Sequence, residues 1–518
     1  MTRTTPSSGP AKPAPPVANA AFLDAVRPAV VRLSQTDRDR VLHAHGHTCE
    51  EMFLLRHGEL PRVPDVVLYP ATHAHVEAIV AAAAAHNVAL IPYGGGTTVS
   101  GALLCPVEEK RMIASVDMQE CNRVLWVDHT NMTMCAEAGI IGKVLEERLR
   151  QEGVCTGHEP DSIEFSSLGG WVATRASGMR KNVYGNIEDM LVGVRMVTPS
   201  GTVEKKCVVP RVSTGPDPFQ FILGSEGIFG IITEVTLRIR ALPPHTEHGS
   251  VVFPTFELGV QFMREVARRR IAPASIRLVD NTQFQFGQAL KPGATSAVQS
   301  AIDAAKKFYV TKIKGFDVNS MVAATLLFEG TKDSVARNEK EIYDLAATFG
   351  GLKGGAENGE RGYFLTFVIA YLRDLGMEYS FAAESFETSV PWANVLPLCH
   401  AVKARIHDSC QRHGIKYPPM VSCRVTQTYD VGACVYFYFG FVYEGLEKPV
   451  ETFEHVEDEA RDEILRMGGS LSHHHGVGKI RKKWYIDTVS ETGAAMVRAM
   501  KREVDPQNIM ASGNLVTM

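Results

Sequence analysis

Apolar residues at Phe22, Val26, Val30 and Leu33, then at Val41, Met52, Leu54 and Leu55, recur at roughly helical spacing and predict a helical lead-in over residues 21–60. Ahead of it, residues 1–20 include the run TPSSGPAKPAPPVANA, with almost no bulky apolar side chain to offset the entropy of ordering. That stretch is expected to be a disordered tail. From 61 to 242 short β-branched runs (Val66–Tyr69, Val88–Ile91, Gly230–Leu237) alternate with Ala-rich helical stretches, the pattern of an α/β domain. From Pro243 the texture changes. An amphipathic stretch at Ser334–Phe349 predicts a helix, and Val435–Tyr443 reads as a strand that is aromatic on both faces, as in a central strand covered on each side. A second domain over 243–470 and a C-terminal segment over 471–518 follow, giving an α+β chain.

The length of 518 residues supports this division, since one hydrophobic core stops growing near ~250–300 residues. A composition of 45% hydrophobic and 22% charged residues is that of a globular protein. The formal net charge of −4 offers no field to attract nucleic acid, so nucleic-acid binding is disfavoured. Ten cysteines are scattered without CxxC pairs and read as free thiols in a reducing compartment. The longest apolar run, Ala78–Pro92, is broken by His86 and Asn87, which is too short to span a bilayer. Neither a secretory profile at the N-terminus nor a peroxisomal Ser-Lys-Leu at the C-terminus is present, so no targeting address is read.

Three blocks carry candidate chemistry. Pro92, Tyr93, Gly94, Gly95, Gly96, Thr97 and Thr98 follow an apolar strand. Consecutive glycines let backbone N–H groups approach an anion, and the threonines add hydroxyls, a combination that suits a diphosphate. Taken alone, the triple glycine is equally a tight turn. The second block holds Asp161, Ser162, Ile163, Glu164, Phe165, Ser166 and Ser167, continued by Thr174, Arg175, Ala176 and Ser177. Its small and hydroxyl residues suit a backbone wrapped around a flat polar ligand, or else a long surface loop. The third, Glu226, Gly227, Ile228, Phe229, Gly230, Ile231 and Ile232, leads into a strong strand and by itself is a strand-entry turn.

In this order and spacing the three blocks resemble the FAD-binding domain of the vanillyl-alcohol-oxidase or p-cresol-methylhydroxylase (PCMH) type. The resemblance implies a PCMH-type FAD-binding domain over 61–242, a substrate cap domain over 243–470, and a C-terminal segment around Asp505–Met510 that returns to the flavin site. The glycine loop has neither His nor Cys to tether a flavin, so FAD is expected to be non-covalent. Within that scaffold the chain resembles alkyldihydroxyacetonephosphate synthases from about Asp39 to Leu515, through Thr156–Ser162, Arg175–Met179, Ala272–Leu278 and Ser470–Lys479.

That family exchanges the acyl chain of 1-acyl-dihydroxyacetone phosphate for a long-chain fatty alcohol by covalent flavin catalysis without net redox change, the step that makes ether lipids. The resemblance implies that Tyr436 is the catalytic tyrosine, that His473, His474 and His475 serve proton transfer or phosphate binding, and that Arg277 supports activity while Arg373 binds substrate. A guanidinium is the natural partner of a phosphate or a departing carboxylate. Consecutive strand residues point to alternating faces, so the three histidines are not read as a metal site. The family also implies a homodimer, peripheral membrane contact, and residence in peroxisomes or glycosomes. The blander readings are a core tyrosine for Tyr436 and surface ion pairs for the arginines. The competing activity is an FAD-dependent 2-hydroxy-acid dehydrogenase or oxidase on the same scaffold.

Overall fold

A computed structural model describes residues 12–57, 60–290, 304–305 and 307–518, which fall into two compact units. One comprises Thr4–Gly178, Tyr184–Leu242 and Leu471–Met518, and the other Met179–Val183 and Pro243–Ser470. We call them the glycine-loop unit and the aromatic-strand unit.

The glycine-loop unit carries strands β1 (Arg32–Ser34), β2 (Val66–Tyr69), β3 (Ala89–Tyr93) and β4 (Ile113–Asp117) in the order β1-β2-β4-β3. The β2-β4-β3 part is parallel. A second, antiparallel sheet is built from β5 (Val124–Asp128), β6 (Thr133–Glu137), β8 (Leu191–Thr198), β9 (Gly201–Val203) and β10 (Ile231–Arg238). Two short strands, β7 (Val154–Cys155) and β11 (Arg240–Ala241), pair separately. The helix His73–His86 places Val76, Ile79, Val80 and Ala83 in the core beneath the parallel strands. Thr72 caps its N-terminus, and Asn87 at φ 52° ends it, turning the chain directly into β3.

The lead-in is helical at Ala20–Val26, Asp37–Leu42 and Cys49–His57, but it also contains β1, whose three residues are too few for a strand period to register. The expected tail needs a larger correction. Residues 1–11 lie outside the described part, whereas the following segment is anchored by side chains from elsewhere in the unit. Val17 donates its backbone N–H to Asp65 at 2.8 Å, and the Ala14 carbonyl accepts from the buried Arg40 guanidinium at 2.7 Å. Composition missed this because the anchoring side chains belong to other elements.

The aromatic-strand unit is one seven-stranded antiparallel sheet of β12 (His245–Phe253), β13 (Ser275–Val279), β14 (Val322–Gly330), β15 (Leu352–Lys353), β16 (Phe381–Pro391), β17 (Met420–Thr428) and β18 (Gly432–Val442). Their order is β15-β12-β14-β13-β17-β18-β16. β18 is buried along its whole length between β16 and β17. Its odd-numbered aromatics form an apolar face: Phe437 stacks on Phe386 at 5.5 Å and Phe439 on Phe453 of the helix Pro449–Arg466 at 4.5 Å. The amphipathic helix forms at Lys332–Thr348 and buries Val335, Ile342, Leu345 and Ala346. Residues 179–183, placed by the sequence in the 61–242 stretch, cluster instead with this unit. There Met179 packs with Ala274, Leu327 and Tyr363, and Lys181 donates to the Thr428 carbonyl at 2.6 Å. All ten cysteines are free thiols, and no helix among the described residues is long and apolar enough to cross a membrane.

Candidate active site

The three sequence blocks converge in the glycine-loop unit. A Cβ on Gly95 would lie 1.8 Å from the Phe165 carbonyl oxygen and one on Gly94 would lie 2.3 Å from Ser167 Oγ, so the glycine loop rests on the second block with no room for a side chain. Gly96 adopts φ +68°. Among the described residues no hydrogen bond takes up the backbone N–H groups of Gly95, Gly96, Thr97 and Thr98. Successive unspent N–H groups in a glycine turn form a nest for an anion. This donor set fits the diphosphate of FAD.

The second block runs from turn to helix. Ser167 caps the helix Leu168–Thr174 by accepting from Gly170 N–H, while Ser166 Oγ accepts from the Trp171 indole at 2.8 Å. Arg175 ends that helix at φ 53°, with its side chain half-exposed near Glu188. Ser177 is buried and bonds Asn186, so its hydroxyl is held by the protein itself. The third block docks on the second through Gly224 N–H to the Val172 carbonyl at 3.0 Å and Glu226 N–H to the Ala173 carbonyl at 2.8 Å. Gly227 faces Pro92 of the glycine loop. Ile228, Phe229, Ile231 and Ile232 are buried, with Ile231 in the core of the unit, so these positions can offer a ligand only backbone. The C-terminal segment pairs with β3 itself: Leu90 N–H donates to the Ile509 carbonyl and Ala511 N–H to the Leu90 carbonyl. Buried Asp505 holds that return by accepting from Ile509 and Met510 N–H while paired with Lys501.

His473, His474 and His475 lie in the same unit, with His473 Nδ1 2.8 Å from His474 Nδ1. The turn after them is fixed by Glu226, whose carboxylate accepts from Val477 N–H at 2.9 Å and Gly478 N–H at 2.6 Å. Gly476 (φ +87°) leaves no room for a Cβ, which would lie 2.0 Å from that carboxylate. Burial pushes the Glu226 carboxyl up to about 7, against the opposing pull of these two N–H groups. Lys479, pushed down to about 8 by desolvation, and buried Arg481 tie the turn to the chain after the glycine loop through the Ala102 and Val99 carbonyls.

His158, within the stretch Thr156–Ser162, was given no role by the sequence. It is fully buried against Trp171, neither ring nitrogen has a hydrogen-bond partner among the described residues, and burial, then the charge of His474, pushes it down to about 3. It is therefore neutral, an uncharged donor and acceptor close to the histidine run.

Tyr436, Arg277 and Arg373 belong to the aromatic-strand unit. Residues directly opposite in an antiparallel pair point to the same side. The register sets Glu387, Tyr436, Arg424 and Val279 in one row across β16, β18, β17 and β13. Arg277, two residues before Val279, shares that polar side and is buried. The helix Ala356–Met377 rests on the same side, since a Cβ on its Gly362 would lie 2.4 Å from Thr325, the partner of Arg277 in β14. Arg373 sits in the last turns of this helix, with its side chain 11% exposed and its Nε 3.3 Å from Asp374. Sequence reading also missed Arg424 and Glu387, because strand register is a tertiary property.

Comparison with known proteins places this geometry. A model described as "FAD binding domain" matches residues 64–205, and one described as "FAD linked oxidases, C-terminal domain" matches 242–515. A relative from Caenorhabditis elegans named alkyldihydroxyacetonephosphate synthase is 50% identical over 97% of this chain and 84% of its own length. A solved alkyldihydroxyacetonephosphate synthase structure superposes with a TM-score of 0.83 at 30% identity, covering 98% of this chain and 90% of the other. A p-cresol methylhydroxylase structure, at 15% identity and a TM-score of 0.70 over 97% of this chain and 98% of its own, shares the fold.

Proposed function

The chain belongs to the alkyldihydroxyacetonephosphate synthase family, and from that premise we propose how its own residues serve the exchange of the acyl chain of 1-acyl-dihydroxyacetone phosphate for a long-chain fatty alcohol. The products are alkyl-dihydroxyacetone phosphate and a fatty acid, with no net oxidation or reduction. The chemistry FAD supplies when bound is covalent catalysis, which divides one difficult displacement into two. The N–H groups of Gly95–Thr98 hold the cofactor diphosphate, and the FAD is non-covalent because the loop Pro92–Thr98 offers no His or Cys to attach it.

Tyr436 carries the proton of C1 away and back, as an acid/base group must in an exchange that replaces the oxygen substituent of that carbon and leaves its oxidation state unchanged. Its support is the buried polar row on the sheet, which sets a phenol beside a cation. Arg277 and Arg373 take the phosphate and the departing carboxylate, for which a planar guanidinium is the matched partner. His473, His474 and His475 shuttle the remaining protons, on a turn locked by Glu226. By family, the enzyme works as a homodimer in peripheral contact with a membrane, in a peroxisome or glycosome.

The test is incubation of the purified yellow protein with palmitoyl-dihydroxyacetone phosphate and labelled hexadecanol. Label is expected in the ether product, with equimolar palmitate released and no oxygen consumed. Stoichiometric bleaching of the flavin by D-lactate or glycolate, without ether synthesis, would instead establish the 2-hydroxy-acid oxidase.

A further inference from the structure

A tyrosine that carries protons at neutral pH needs help, because the ordinary phenol pKa is about 10 and only a nearby cation or donor favours the phenolate. The sheet supplies one. Glu387, Tyr436 and Arg424 stand side by side on β16, β18 and β17, and they are 1%, 5% and 3% exposed. The guanidinium carbon of Arg424 lies 4.9 Å from the ring centroid of Tyr436 and 4.9 Å from that of Tyr438. Those two rings stack at 5.9 Å, and Cys434 completes the cluster along β18. Cation–π attraction holds both rings against the guanidinium, and a full positive charge at this range, away from bulk water, favours negative charge on the phenol oxygen. Glu387 on the opposite flank acts against that.

We propose that Arg424 is the positioning residue through which Tyr436 works, an inference that rests on Tyr436 being the proton carrier. When the C1–H bond breaks, its proton forms the O–H bond of Tyr436 and the electron pair stays on the dihydroxyacetone unit. When the proton returns, the phenolate left behind is again balanced by the guanidinium.

The experiment compares Arg424→Gln, Arg424→Lys and Tyr436→Phe, each as the flavin-loaded enzyme, for entry of solvent deuterium into C1 and for KM and kcat separately. Arg424→Gln is expected to lower exchange and kcat by at least the ~10²-fold of a missing acid/base group while leaving KM for the acyl substrate close to wild type. Arg424→Lys, which keeps the charge, should recover a large part of the loss. Wild-type exchange in Arg424→Gln with loss in Tyr436→Phe would overturn the role of Arg424 alone. So would a Lys variant no better than Gln. Wild-type exchange in Tyr436→Phe would instead remove the premise. If neither Arg424 variant folds, 13Cζ-tyrosine NMR of the wild type decides, with Tyr436→Phe to assign the signal. Titration of Tyr436 clearly below the ordinary value of about 10 supports the proposal, and titration at or above it overturns it.

Discussion

Around Gly95 the proposed site is made of backbone, whereas around Tyr436 it is made of side chains standing on a sheet. The glycine loop offers a ligand its N–H groups and can do so only because it presses on Phe165 and Ser167 with no Cβ in the way. The polar side of the sheet offers a guanidinium, a carboxylate and a phenol, and on the other face of β16 and β18 Phe386 stacks on Phe437. Sites of these two kinds fail differently. A backbone site is destroyed by adding an atom and is tolerant of altered side chains nearby. A side-chain site tolerates a change of one atom in its packing and loses its reaction all the same.

Gly95→Ala is the harshest way to test that contrast. The added methyl cannot coexist with the Phe165 carbonyl, so the protein is expected to lose its flavin and all ether synthesis, read from visible absorbance and product formation. A yellow, active variant would show that the loop is an ordinary turn. Tyr436→Phe should do the opposite: it removes only a hydroxyl, so flavin content and thermal stability should stay near wild type while turnover falls at least ~10²-fold. Wild-type turnover would return Tyr436 to a packing role.

Smaller losses are expected at the arginines. Arg277→Leu and Arg373→Leu each remove a charge-assisted hydrogen bond worth about 1.5–3 kcal/mol, so kcat/KM should fall roughly 10- to 100-fold with the flavin retained. Near-normal kcat/KM in both would leave them as structural ion pairs.

The mildest test is one of stability. Glu226 is held near 7 in the folded chain against an ordinary 4.5, so the native state binds its proton more tightly than the unfolded state does. The stabilisation from that proton is complete below 4.5 and is lost as pH rises through about 7. Thermal melts should therefore show the wild type losing stability between pH 5 and pH 8 relative to Glu226→Gln, which cannot titrate. Parallel pH profiles for the two proteins would mean that Glu226 is charged throughout.

The same contrast explains what could be read in advance. Gly94–Gly96, Gly224 and Gly227 are visible in sequence because a backbone site selects the residue that lacks a side chain, and their order along the chain identifies the flavin-binding scaffold. The helix at Lys332–Thr348 and the fully buried β18 were legible for a similar reason, since each carries its periodicity within one segment. Arg424 and Glu387 carry no such mark. An arginine or glutamate in a strand looks like a solvated position until the pairing of β16, β18 and β17 is known, and β16 is separated from the β17–β18 hairpin by the helix Val395–Arg412. The segment around Val17 was misjudged on the same ground, because Asp65 and Arg40 supply the anchors. Tyr436 was identified by family resemblance, not by its own strand.

The pairing of Leu90 with Ile509 and Ala511 bears on the order in which the chain folds as it is made. On the ribosome, the strand that leads into the glycine loop emerges early but meets this partner only after nearly all the rest has been synthesised. The aromatic-strand unit, whose sheet lies within one continuous stretch after Pro243, can close on itself sooner. Contacts between distant parts of a chain form slowly, and surface waiting for them is open to chaperones and to aggregation. Truncations or bulky fusions near Met510 should therefore reduce the yield of folded protein by leaving the early strand without its last neighbour, long before they touch any reacting group.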